Sequence, residues 1–188
     1  GAAVTLNGRS PERVAAAVDR LRSEVRGAAV GGAPGDVSTA DGARAVTAVV
    51  PAVDVLVNNA GIFEARAFED ITDDDWRRFF QVNVLSGVRL ARHYLPGMLA
   101  RGWGRIIFVS SESGVQIPVE MIHYGMTKTA QLAISRGLAE TTSGTGVTGN
   151  ALLPGPTGSE GVGVFVEKLA KEQGVDRDSF ERDFFRTA

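Results

Sequence analysis

Short apolar runs alternate with longer amphipathic stretches along most of this chain. "AAVTL" (2–6), "VDVLV" (53–57) and "GRIIFVSS" (104–111) carry almost no polar interruption. Such runs read as strands buried on both faces. "GAAVGGAPGDVS" (27–38) reads as a weaker strand entering a Gly-rich loop, and "GVTGNALLPG" (146–155) as a further strand. Helical patterns fill the intervals. Residues 10–25 place Ser10 at an N-cap and Pro11 at the first helical position. Residues 39–50 read as a helix despite Gly42. Residues 71–102 read as one long helix, opened by a capping box from Thr72 and Asp75. The three aspartates at 73–75 suit the positive end of that helix rather than a metal. Residues 122–143 form another helix with an apolar stripe, and 161–185 read as two short helices. Strand–helix alternation with continuously apolar strands predicts an α/β domain whose parallel sheet is covered on both faces.

Composition adds limits. With 188 residues, 44% hydrophobic and 22% charged, the chain has the make-up of one ordinary globular domain. A net charge of −2 gives no electrostatic reason to expect nucleic acid or an anionic membrane as partner. There is no cysteine, hence no thiolate metal site, and the two histidines, His93 and His123, are too few for most His-based sites. No metal is expected. No apolar run reaches the roughly 18 residues of a membrane span. The first residues lack a charged leader followed by an apolar stretch, so a cytoplasmic protein is the expectation.

Chemistry is expected beyond the carboxyl ends of the strands, where ligands sit in such sheets. Each strand exits into small, polar or Gly-rich residues: "NGRS", "PGDV", "NNAG", "SSESG" and "PGPTGSEG". One stretch carries more. "HYGMTK" (123–128) holds one of two tyrosines and places Tyr124 four residues before Lys128. On a helix this puts phenol and ammonium on one face. A cation beside a phenol favours phenolate, which makes Tyr124 a tunable acid.

"NNAG" at 58–61, Asn83 in "QVNVLSG", "SS" at 110–111, "YGMTK" at 124–128 and "PGPT" at 154–157 resemble the short-chain dehydrogenase/reductase family, in the family's order and across essentially the whole chain. The resemblance implies a Rossmann-type three-layer α/β/α fold. It implies Tyr124 as general acid/base toward a carbonyl or alcohol oxygen, with Lys128 lowering its pKa and holding the nicotinamide ribose. Ser111, 13 positions before Tyr124, takes the place of the serine that hydrogen-bonds the substrate oxygen, with Ser110 its competitor. Asn83 takes the place of the asparagine that helps hold a relay water. Asn58, Ala60 and Gly61 would border the cofactor, Asp36 and Val37 its adenine, and Pro154, Gly155 and Thr157 its nicotinamide. At the tip of the first strand, Gly8 stands where an acid would mark NAD, and Arg9 follows. This favours NADP, with NAD the lesser choice. The epimerase/dehydratase branch shares Tyr-x-x-x-Lys, but "NNAG" and the Ser111–Tyr124 spacing argue against it.

The resemblance sets further expectations. The family's opening strand and Gly-rich turn have no counterpart here, nor does its last strand, so one Rossmann-type domain incomplete at both ends is expected over residues 1–188. The absent first strand would lie between strand 2–6 and strand 53–57. Residues 158–188 would form a lid over a small-molecule carbonyl or alcohol substrate. Phe63, Gln116, Met121, Val162 and Phe165 are expected to line the substrate space, and His123 to sit at its edge or on the surface. The apolar surface of helices 71–102 and 122–143 predicts a homodimer or homotetramer paired through them. The function expected is NADP(H)-dependent carbonyl reduction or alcohol oxidation; the alternative is a catalytically silent dinucleotide-binding or scaffold fragment.

Overall fold

The computed structural model describes residues 1–158 and 160–187, so Ser159 and Ala188 of the expected lid lie outside the described residues. Five strands and seven α-helices alternate: β1 (Val4–Gly8), α1 (Pro11–Glu24), β2 (Val30–Pro34), α2 (Ala40–Val49), β3 (Val55–Asn58), α3 (Asp73–Phe80), α4 (Ser86–Ala100), β4 (Gly104–Val109), α5 (Ile122–Thr141), β5 (Val147–Leu152), α6 (Glu160–Gln173) and α7 (Arg177–Thr187).

All strand pairs are parallel. β1 pairs with β2, Val4 opposite Val30. β3 pairs with β4, and β4 with β5, which places Ile106 between Leu56 and Gly149. The fold is a Rossmann-type α/β architecture, and its strands form two groups, β1-β2 and β3-β4-β5. Among the described residues no ladder joins β1 to β3. The core lies between the larger sheet and α4, where Leu56, Leu90, Tyr94, Met98, Ile106 and Phe108 pack together.

Local sequence explains the helix starts. Ser10 Oγ accepts the Arg13 N–H at 3.2 Å, and Pro11 needs no partner for an N–H it lacks. Thr39 caps α2 through the Gly42 N–H. Thr72 and Asp75 form the reciprocal capping box. Asp75 also accepts from Arg66 and Arg78; the Thr72 hydroxyl above all, with the Thr72 N–H and then the two arginines, holds its carboxyl down at about 2.

The stretch read as one helix over 71–102 is continuous but not uniform. Residues Gln81–Leu85 form a π-turn between α3 and α4. The wider turn re-aims the side chains after it, and such insertions occur often at functional sites. Much of the apolar surface on this stretch is absorbed within the chain. Phe79 and Met98 are fully buried, Leu95, Ile134 and Leu138 pack against the core, and Phe80 and Leu99 are exposed.

Candidate active site

The carboxyl ends of β3, β4 and β5 open into a cleft of about 1130 Å3. Its walls come from the loops after these strands, the start of α5, and α6 with α7. Ser111, Tyr124 and Lys128 line it, with Gly61, Pro154, Gly155 and Thr157. Phe63, Gln116, Met121, Val162 and Phe165 all line this cleft.

The two adjacent serines divide the work. Ser110 is buried and donates through Oγ to the Lys128 carbonyl at 2.8 Å, tying β4 to α5. Ser111 accepts the Ser113 N–H at 3.1 Å and stands beside the Tyr124 hydroxyl. Ser110 Oγ is thus committed to the helix, whereas Ser111 Oγ stands beside the Tyr124 phenol.

Tyr124 and Lys128 share one face of α5, the ammonium 5.4 Å from the phenol ring centre. Lys128 Nζ donates to the Val109 carbonyl at 2.9 Å. Burial pushes its pKa down from 10.5 to about 8, so at neutral pH it stays a cation. Burial pushes the Tyr124 pKa up from its ordinary value; the Ser111 hydroxyl opposes the rise and the Glu112 charge adds to it. In this geometry burial outweighs the lowering that the Tyr–Lys spacing predicts.

Asn83 sits on the π-turn and is 1% exposed. Its Oδ1 accepts the Ile62 N–H at 2.7 Å, while Nδ2 donates to the Ile62 carbonyl at 2.9 Å and to Thr127 Oγ1 at 3.0 Å. Thr127 in turn donates to the Tyr124 carbonyl at 2.7 Å. Asn83 thus fixes the 59–62 loop against α5. Its own carbonyl accepts from Gln131 Nε2 at 2.6 Å. Thr127 and Gln131 were not anticipated as site residues. Their signal was faint: polar positions four apart, on the helix that carries Tyr124.

Several features suit a dinucleotide. A Cβ on Gly61 would stand 3.6 Å from Asn83 Oδ1 and 3.8 Å from Lys128 Nζ, so this position borders both groups at ordinary contact distance. Asn58 is buried with both amide atoms lacking a partner among the described residues. Arg9, just past β1, is exposed and makes no hydrogen bond or ion pair among the described residues. The Gly35 N–H donates to the Gly8 carbonyl at 2.9 Å, which brings the loops after β1 and β2 onto one rim. Asp36 is partly engaged there, its Oδ1 accepting from the Ser38 N–H and hydroxyl. The Val37 side chain is in the core, and its carbonyl accepts from Arg89 Nη1 at 3.4 Å.

His123 departs from expectation. It is fully buried, not at an edge. Its ring packs 4.0 Å from that of Phe79 and edge-on to Trp76, and neither nitrogen has a partner among the described residues. Burial pushes its pKa down.

The short chain dehydrogenase family model matches residues 1–170. The chain belongs to the short-chain dehydrogenase/reductase family. It is an oxidoreductase of that type. A Bacillus subtilis (strain 168) relative named uncharacterized oxidoreductase YvrD is 48% identical over 190 aligned residues, covering 99% of this chain and 71% of the relative. Among solved structures, L-sorbose reductase from Gluconobacter frateurii, complexed with NADPH and L-sorbose, is 31% identical with a TM-score of 0.88. That match covers 96% of this chain and 70% of the reductase. Gluconate 5-dehydrogenase from Burkholderia cenocepacia J2315, in complex with NADP and tartrate, is 32% identical with a TM-score of 0.77, covering 86% and 64%. Members of this family act on small molecules and typically oligomerise.

Among the described residues, no group of His, Cys, Asp and Glu could hold a metal ion, and no helix is long and apolar enough to cross a membrane.

Proposed function

We propose that this short-chain dehydrogenase/reductase interconverts a carbonyl and an alcohol with NADP(H), using Tyr124 as general acid/base. The observation that carries the reading is the convergence of Ser111, Tyr124 and Lys128 on one cleft, with Asn83 bracing its floor. The bound dinucleotide supplies the hydride. Ser111 donates a hydrogen bond to the substrate oxygen as negative charge grows there. Tyr124 delivers the proton to that oxygen, or removes it in the reverse direction. Lys128, a buried cation, favours phenolate and draws the raised Tyr124 pKa toward neutrality as the site fills. It also holds the nicotinamide ribose hydroxyls. A water held at Asn83 would link Lys128 to solvent.

The remaining residues divide the cofactor between them. Pro154, Gly155 and Thr157 border the nicotinamide, and Asn58, Ala60 and Gly61 the adenine ribose side of the cofactor. Asp36 and the Val37 backbone face the adenine. Arg9 supports NADP over NAD, because an exposed guanidinium without a competing ion pair suits a 2′-phosphate. The solved relatives with NADPH and NADP point the same way. Helices α6 and α7 act as a lid: Phe165 on α6 meets Phe63 edge-on at 5.4 Å, and Phe63 meets Tyr124 at 6.4 Å. The full-length protein works as a cytoplasmic homodimer or homotetramer paired through α3–α4 and α5. The test is a screen of carbonyl compounds with NADPH and NADH, following cofactor absorbance. Turnover with NADPH and its loss in Tyr124→Phe are expected. No turnover of any carbonyl or alcohol with either cofactor would reject the reading.

A further inference from the structure

The cleft has an electrostatic bias that the proton-transfer residues do not explain. Among the described residues, four charged side chains line it: Arg66, Glu112, Glu120 and Lys128. Both cations are engaged. Arg66 bonds Glu64 at 2.8 Å and Asp75 at 2.7 Å, and Lys128 donates to the Val109 carbonyl. Neither carboxylate has a side-chain partner among the described residues.

Glu112 is the one held close to the chemistry. It directly follows Ser111 and opens a short 3-10 turn, Glu112–Gly114. Its N–H donates to the Pro154 carbonyl at 3.1 Å, stapling the loop after β4 to the loop after β5. Its carboxylate then lies against Gly155: a Cβ there would stand 3.2 Å from Oε2. The same charge is felt at the Tyr124 hydroxyl. A half-buried carboxylate with no cation beside it must find donors elsewhere, and hydroxyl groups on a substrate supply them. A second negative charge set beside Glu112 is repelled by it, and Arg66, already paired with Glu64 and Asp75, does little to offset that repulsion.

We infer that Glu112 selects neutral, hydroxyl-bearing carbonyl compounds over acidic ones of the same size, by accepting hydrogen bonds from hydroxyls next to the reacting carbon. This rests on the oxidoreductase reading above, and its test is separable from it. Equilibrium binding is measured by ligand-observed NMR for a matched pair: a neutral ketose, and the keto acid of the same chain length. The wild-type full-length protein should bind the ketose about tenfold more tightly or better. Glu112→Gln keeps the size and removes the charge, so it should bring the two affinities to within about threefold, mainly by tighter binding of the acid. Glu112→Ala, checked for folding by circular dichroism, should narrow the preference as well. Equal binding of both compounds by the wild type, or an unchanged ratio in both variants, overturns the inference. Reduction of an uncharged diketone lacking hydroxyls reports separately on the oxidoreductase reading, since Glu112 selectivity plays no part in it.

Discussion

Lys128 should carry a measurable stability cost that its function requires. It is 6% exposed, and burial lowers its pKa from 10.5 to about 8. At about 1.4 kcal/mol per pH unit, charging it in the folded state costs about 3 kcal/mol relative to the unfolded chain. The sign follows from proton counting. Between pH 8 and 10.5 the unfolded chain binds the extra proton, so stability from this group rises with pH across that window. Below about 8 the whole cost is present. Lys128→Met removes the charge and also the bond to the Val109 carbonyl, an offset of about 1–3 kcal/mol. The net gain at pH 7 is therefore small, but the pH dependence does not contain that offset. Chemical unfolding followed by circular dichroism, with wild type and Lys128→Met compared at pH 7 and 10.5, isolates it. The advantage of the variant should shrink by about 3 kcal/mol over that interval, with the denaturant slope unchanged. Because Tyr124 is a second ionisable group close by, the pair is repeated in a Tyr124→Phe background. Parallel pH profiles in both backgrounds would refute the assignment of a buried, charged lysine. The variant should lose turnover while gaining tolerance to unfolding, as expected where a site stores strain for function.

Other expectations are direct. In the full-length protein, Tyr124→Phe should keep the fold and lower turnover by about 10²–10⁴; near-wild-type rates with chemistry rate-limiting would remove Tyr124 from its role. Arg9→Asp should weaken NADPH binding far more than NADH binding in fluorescence titrations, and equal losses would contradict the 2′-phosphate contact. His123→Leu should stabilise the protein, since it removes two orphaned buried nitrogens. Because its folded pKa is lowered, the wild type should also lose stability below about pH 6.5, where the unfolded imidazole takes up a proton; an unchanged acid profile in the variant counts against this. Light scattering of the full-length protein should give a dimer or tetramer, reduced in size by Phe80→Asp with Leu99→Asp; a wild-type monomer at micromolar concentration defeats the pairing through α3–α4 and α5.

The elements that were legible in the sequence are those whose burial is apolar. "VDVLV" and "GRIIFVSS" read as strands because β3 and β4 carry apolar side chains along their length, and the loops after them were legible as a ligand rim. The helix starts were legible because Ser10, Thr39 and Thr72 act on N–H groups only three residues away. The π-turn at Gln81–Leu85 was not, because an inserted residue leaves the surrounding helical pattern almost intact. Its purpose shows only in three dimensions, where Asn83 reaches back to Ile62 across 21 residues of chain.

The feature least legible in the sequence lies on α5. Its apolar residues Leu132, Ile134 and Leu138 mark a stripe, and a stripe of that kind is ordinarily the buried one. Yet its most deeply buried side chains are His123, Thr127, Gln131 and Ser135, spaced four apart. At Thr127 and Gln131 this helix turns polar groups inward because they meet the side chain and carbonyl of Asn83 on the π-turn. Thr127 takes the Tyr124 carbonyl and a proton of the Asn83 amide, and Gln131 takes the Asn83 carbonyl. A buried donor or acceptor left alone costs about 1–3 kcal/mol, so a π-turn that positions Asn83 needs polar partners from the opposite helix. Hydrophobic periodicity cannot register such a requirement, because the partners lie about 44 to 48 residues apart in the chain. The polar stripe and the π-turn are thus two halves of one device. Tyr124 and Lys128 lie beside that stripe on the same helix, so whatever holds Asn83 in place also sets the distance between Tyr124 and the loop at 59–62.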